Sequence, residues 1–178
     1  ERAFARAWAA QRTWAAVPTR KRAAVLLRFH DLVLTHRDEL LDVIQLESGK
    51  ARAHALEEVA DVAIVARHYG LRGPRYLRAE RHRGALPLLS RTVETHHPQG
   101  VIGVVTPWNY PLALAIGDTV PALMAGNAVV LRPDPQGSLT ALTAARLLTE
   151  AGLPDGILQV VLGHGRPIAE AVLDRADY

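Results

Sequence analysis

Three short segments, each following an apolar run, carry the residue types that could do chemistry: Thr106-Pro107-Trp108-Asn109-Tyr110-Pro111, Arg132-Pro133-Asp134-Pro135 and Gly163-His164-Gly165. In the first, two prolines restrict the backbone on either side of Trp108 and Asn109, holding a flat apolar surface beside an amide donor. A fixed amide N–H is what a developing oxyanion needs; the alternative is a turn in which Asn109 bonds only its neighbours. In the second, Arg132 offers a planar donor fork beside Pro133, suited to a ribose hydroxyl or a phosphate, the alternative being a solvated arginine. The third allows close backbone approach to a phosphate. However, Ile168 stands at the sixth position of the G-x-G-x-x-G pattern, so that fingerprint fails.

Other chemistry is excluded. The chain has no cysteine, hence no disulfide framework, thiolate metal site or thiol nucleophile of its own. Its eight histidines include no H-E-x-x-H, and His96-His97 has no carboxylate at ligand spacing on a helix, so no metal site is expected. Glu47, Glu57 and Glu58 fall on predicted helices away from the strand ends and read as solvated or paired with nearby arginines. No Ser-His-Asp order is arguable.

The elements that must position these segments follow from periodicity. Apolar residues at Ala23, Leu26, Leu27, Val33 and Leu34, with His30, predict a helix from Thr19, as its cap, to His36. A second helix is predicted over about 38–47, ending near Gly49, and a third from Arg52 to Tyr69, stopped by Gly70. Residues 72–91, with Gly73, Pro74, Gly84 and Pro87 among several arginines, read as an exposed connection, followed by a half-exposed strand at 91–96. Val101 to Val105, Ala128 to Leu131 and Leu158 to Leu162 are short apolar strands separated by helix-length segments, which implies a covered parallel sheet. Between the last two, a helix capped by Ser138 is expected to bury Leu139, Leu142, Ala145 and Leu148 and to stop at Gly152. Open parallel sheets bind ligands at the carboxyl ends of their strands, where the three segments fall.

Composition bounds the rest. With 178 residues, 49% of them hydrophobic, the chain can build one domain with a sizeable core. Lys21 and Lys50 are its two lysines among 21 basic residues, the others being arginine, and the net charge is only +3. Tyr69 and Tyr76 are too few aromatics for a nucleic-acid stacking platform among the arginines of 67–91, so no nucleic-acid partner is expected. The apolar stretch 112–131 is broken by Gly117, Asp118, Pro121, Gly126 and Asn127, which argues against a membrane span. The opening residues lack the apolar core of a signal peptide, and Glu1 stands where a start methionine would, so the chain is expected to be cytoplasmic and truncated.

Taken in order, TPWNYP, PALMAGNAVVLRP and AGLPDGILQVVLGHG, with LESGK at 46–50, resemble the core pattern of the aldehyde dehydrogenase superfamily over nearly the whole chain. The resemblance implies a cysteine thiolate adding to an aldehyde, hydride transfer to NADP or NAD, and hydrolysis of the thioester assisted by a glutamate. It gives Asn109 the role of oxyanion donor. Thr106 and Trp108 line the cofactor, with Pro107 between them. Arg132 stands for a lysine that holds the adenosine ribose, with Pro133, Asp134 and Pro135 beside it, and Gly165 lies near the adenine end. Homo-oligomers and a small-molecule aldehyde substrate are also implied.

Departures from the family pattern carry information. Pro135 stands where NAD-preferring members often place a ribose-binding glutamate, so acceptance of NADP is expected. The segment from Leu112 to Asp118, with Arg132-Pro133-Asp134 and Gln136, is similar to a bacterial succinate-semialdehyde dehydrogenase branch. Yet Gly117 stands where a succinate-binding arginine is common. The expected organisation is a helical part with its connection over 1–90, a strand and turn at 91–100 serving oligomerisation, and the first half of a Rossmann-like NAD(P)-binding sheet over 101–178. The thiol, the glutamate base and the second half of the cofactor domain are expected beyond Tyr178. The competing reading is a non-catalytic nucleotide-binding or interaction module.

Overall fold

Residue spacing along the first 76 positions builds a layer of helices. In the computed structural model, which describes residues 1–86, 89–163 and 166–177, these are α1 (Arg2–Ala16), α2 (Thr19–Thr35), α3 (Arg37–Ser48) and α4 (Arg52–Tyr76). Helix α1 was not foreseen, although Phe4, Ala7 and Trp14, its buried residues, recur at helical spacing. In α2 the buried face is Arg22, Ala23, Val25, Leu26, Phe29 and Val33, while Leu34 is exposed, so the stripe is rotated from the one expected. Pro18, not Thr19, precedes the first turn of α2, and no side chain caps it. Helix α3 ends as expected at Gly49, in the left-handed conformation.

Helix α4 runs past Gly70 and Gly73 instead of stopping there, because both glycines serve close packing. A Cβ on Gly70 would lie 2.7 Å from Cδ2 of Leu27, and one on Gly73 would lie 2.5 Å from Cγ of Met124. Pro74 falls near the end of α4, where its missing N–H removes one bond from the helix ladder and the helix stops within one turn of it.

What read as one exposed connection is partly a hairpin. Strands β1 (Glu80–Arg83) and β2 (Arg91–Glu94) pair antiparallel, and every residue of both is exposed. The parallel sheet is as expected: β3 (Val101–Thr106), β4 (Ala128–Pro133) and β5 (Leu158–Val160) lie in the order β3-β4-β5. The first crossover holds α5 (Ala113–Gly117) and α6 (Thr119–Ala125), and the second a 3-10 turn (Pro135–Gly137) and α7 (Ser138–Glu150), with α8 (Arg166–Leu173) after β5. Central β4 is covered on both faces. Val129 and Leu131 join the main core with Leu26, Phe29, Val62 and Leu147, whereas Ala128 and Val130 pack with Phe4, Ala7, Val101 and Val172.

Helix α7 buries Thr140, Ala141, Thr143, Ala144, Leu147 and Leu148 and exposes Leu139 and Leu142, again a rotation from the expected face. Its start explains the rotation. Ser138 is already helical and donates its hydroxyl to the carbonyl of Asp134, so it does not cap. Instead Glu47 of α3 accepts the N–H groups of Leu139 (2.6 Å) and Thr140 (2.7 Å) and the Thr140 hydroxyl (2.6 Å), which anchors α7 to the helical layer. Arg22 makes a comparable tie inside the core, donating to the carbonyls of Met124 (3.0 Å), Ala15 (3.2 Å) and Val17 (2.6 Å) at the ends of α6 and α1. Burial draws its pKa below the usual guanidinium value.

Gly70→Ala tests the packing role. It should destabilise the protein by about 1–3 kcal/mol through overpacking against Leu27, in spite of the ~1 kcal/mol that alanine gains over glycine inside a helix. A urea midpoint at or above that of the parent would show that the glycine is not needed for close approach.

Candidate functional site

Parallel pairing brings the first two chemical segments to one edge. Thr106 and Pro133 are register partners at the ends of β3 and β4, and the Asp134 N–H donates to the Thr106 carbonyl at 3.0 Å, extending the ladder one step. Arg132 reaches from β4 toward the segment after β5, its Nη2 donating to the Gly163 carbonyl at 3.4 Å. Gly163 is therefore at the same edge, while His164 and the expected adenine-end Gly165 lie outside the described residues. Gly137 closes the gap between the first two loops, since a Cβ there would lie 2.7 Å from that of Pro111.

Two polar atoms at this edge are buried without a partner among the described residues: Oγ1 of Thr106 and Nε of Arg132. A buried polar group left unpaired costs about 1–3 kcal/mol, and such groups are few in folded proteins. Strand alternation puts Thr106 on the face of the helical layer and Arg132 on the other. The pair straddles the carboxyl edge of the sheet, where a ligand crossing that edge would meet both. Pro133 is buried at the strand end and Pro135 starts the 3-10 turn. Asp134 turns inward, its Oδ1 accepting the Gln136 N–H at 3.0 Å. With no carboxylate at 135, Arg132 and Asp134 are the two charged residues of this loop.

The Asn109 loop presents its side chains outward. Trp108 is 51% exposed, and Pro107, Asn109 and Tyr110 are exposed with it, above buried Pro111 and Leu112. Among the described residues the Asn109 side-chain amide makes no hydrogen bond, so it is not the neighbour-bonded turn that stood as the alternative. Its main-chain carbonyl is held instead. Nζ of Lys50 donates to that carbonyl at 2.7 Å, donates to Oε1 of Glu58, and sits 4.0 Å from the centroid of the Tyr110 ring. Glu58, only 1% exposed, uses Oε2 to accept the N–H groups of Leu112 (2.9 Å) and Ala113 (3.0 Å). Lys50 is aimed by its own backbone, whose N–H meets Ser48 Oγ at 3.3 Å and whose carbonyl meets Gln45 Nε2 at 3.3 Å.

Glu47 and Glu58 are thus neither solvated nor paired with arginines; one caps α7 and the other organises the Asn109 loop. The signal for Glu58 was present in the sequence: it interrupts the buried stripe Ala55, Val59, Val62 and Ala66, and a carboxylate on an apolar face needs partners. Metal-type ligands also meet where helical spacing could not reveal them. The β1–β2 register puts Glu80 opposite Glu94, with His82 Nε2 3.1 Å from Glu94 Oε2, all three exposed. At Gly117 an added Cβ would meet nothing within 4 Å, so no side chain fills that position.

The chain as a whole is similar to known proteins. A protein of Mycolicibacterium smegmatis, provisionally named as an NADP(+) succinate-semialdehyde dehydrogenase, is 50% identical over 176 residues, covering 99% of this chain and 34% of its own length. Among solved structures, the NADP-dependent glyceraldehyde-3-phosphate dehydrogenase of Bacillus halodurans, complexed with NADP, superposes with a TM-score of 0.91 at 31% identity, over 98% of this chain and 37% of that one. An NAD-dependent benzaldehyde dehydrogenase of Corynebacterium glutamicum gives a TM-score of 0.88 at 32% identity, over 96% and 37%. The chain spans about a third of the length of the curated relatives it matches. With the aldehyde dehydrogenase family model matching residues 1–178 from end to end, the chain belongs to the aldehyde dehydrogenase family.

Proposed function

We propose that this chain is the cofactor-binding, oxyanion-stabilising part of an enzyme that oxidises an aldehyde to a carboxylic acid with NADP or NAD, succinate semialdehyde being the leading substrate candidate. The observation that carries the reading is the pair of unpartnered buried atoms, Thr106 Oγ1 and Arg132 Nε, on the edge that also presents the free amide of Asn109. A hydroxyl and a guanidinium so placed fit the ribose and phosphate groups of a dinucleotide, which would supply the two-electron acceptor. Arg132 would hold the adenosine end, Thr106 and Trp108 the wall nearer the reacting centre. Asn109 would donate to the oxygen that gains charge as a thiolate adds to the aldehyde. The chain has no cysteine, so that thiolate belongs to another part of a longer protein. Relatives named for succinate semialdehyde support the substrate, and the unfilled position at Gly117 means that this residue would not be what holds its carboxylate.

The exposed β1–β2 hairpin is the element we assign to homo-oligomer contact, since its apolar Val93 lies in the open. Among the described residues no helix is long and apolar enough to cross a membrane, and we read the protein as cytoplasmic.

Three measurements test this. In the full-length protein Asn109→Ala should lower the single-turnover rate by about 100- to 1,000-fold with little change in cofactor affinity; a parental rate would remove Asn109 from the chemistry. NADP should serve at least as well as NAD, and Pro135→Glu should shift preference toward NAD by repelling a 2'-phosphate. Side-by-side kinetics showing a strong native preference for NAD would contradict this. The 178-residue chain alone should give no aldehyde-dependent NAD(P)H absorbance, for want of a thiol; turnover at ordinary enzymatic rates, in a preparation free of host dehydrogenases, would overturn the assignment of the nucleophile.

A further inference from the structure

We propose that Lys50 is a positioning residue for the Asn109 amide, with buried Glu58 holding it in place, so that the orientation of the oxyanion donor is set from the helical layer and not by the loop alone. The inference rests on the reading of Asn109 as the oxyanion donor.

The loop has few ways to fix itself. Pro107 and Pro111 set their own φ and confine Thr106 and Tyr110 to extended conformations, and Glu58 fixes the chain just beyond by accepting from Leu112 and Ala113. Between these anchors the rotation of the Asn109–Tyr110 peptide remains. The direction of a carbonyl reports ψ of its residue, so the 2.7 Å bond from Lys50 to the Asn109 carbonyl fixes that rotation. With it, the direction in which the Asn109 side chain leaves the backbone is fixed as well. Among the described residues, Trp108 makes no hydrogen bond that would restrain it in this way.

The residue type fits the task. In a chain whose other basic residues, Lys21 excepted, are all arginine, position 50 is a lysine. Its three N–H donors point in tetrahedral directions, which suits a carboxylate, a carbonyl and a ring face around one nitrogen; a planar guanidinium fork does not reach three such directions. The Lys50 side chain is only 14% exposed and Glu58 is 1% exposed, so solvent screening is weak. The charge pair also differs from the many arginine–carboxylate pairs of the surface in joining three separate parts of the sequence: the α3–α4 turn, α4 and the loop after β3.

The test is a double-mutant cycle in the full-length protein, reading single-turnover rates with succinate semialdehyde and NADP. Lys50→Met should lower the rate by about 10- to 100-fold, the scale of loss expected when a reacting group is misplaced by about 1 Å, with the KM for NADP within about twofold of the parent. In an Asn109→Ala background the same substitution should have almost no further effect, because the amide it positions is gone. Lys50→Gln keeps a polar side chain beside Glu58, but its amide nitrogen ends one bond short of the position from which Nζ meets the Asn109 carbonyl. It should behave like the Met variant, and it decides the question if that variant fails to fold. A slow Asn109→Ala protein combined with Lys50 variants at the parental rate, or with losses that multiply in the double mutant, would overturn the proposal. A parental rate for Asn109→Ala itself would instead overturn the reading of the site on which it rests.

Discussion

One buried carboxylate constrains much of this molecule. Glu58 sits almost wholly out of water on the apolar face of α4, where an unpaired charge would cost several kcal/mol. Its two oxygens are therefore spoken for: one by Lys50, the other by the N–H groups of Leu112 and Ala113. Satisfying that one group brings the α3–α4 turn against the loop after β3 and starts α5 where it does. The exposed loop that presents Trp108 and Asn109 is consequently the outer end of an arrangement whose inner end lies in the core. Removing either partner leaves the other uncompensated, which makes the arrangement cooperative.

The sheet was the most legible part of the sequence. Continuous apolar runs at 101–105 and 128–131, with helix-length spacers, admit few alternatives to a parallel β3-β4-β5 order, and the structure has it. Helix extents were legible where glycine ended them, as at Gly49, and misread where glycine packed within a helix, as at Gly70, because sequence alone does not tell a stop from a close contact. Helix faces were misread in α2 and α7 for a related reason. Leu34, Leu139 and Leu142 are apolar but exposed, whereas Arg22, Thr140 and Thr143 are polar but buried, and only tertiary partners decide which stripe goes inward.

The candidate site was legible at its tips and illegible at its supports. Asn109, Thr106 and Arg132 could be singled out because strand ends and prolines are local signals. Lys50, Glu58 and Glu47 act across 59, 54 and 92 positions of sequence respectively, and no local pattern encodes such a partner. The hairpin ligands Glu80, His82 and Glu94 escaped notice because they are brought together by cross-strand register, not by helical spacing.

The capping of α7 by Glu47 has an electrostatic consequence for whatever binds at the neighbouring strand end. A helix start is ordinarily an anion-seeking terminus, because its first N–H groups are unpaired and the peptide dipoles add up behind them. Here a carboxylate from α3 already occupies two of those groups and cancels much of the positive end of the dipole. The terminus is largely neutralised from within, and a negatively charged ligand arriving beside Pro135 finds little pull from the helix. Attraction at that end of the edge must come from a side chain, which concentrates on Arg132 a task that many nucleotide-binding folds share between an amide-rich turn and a helix.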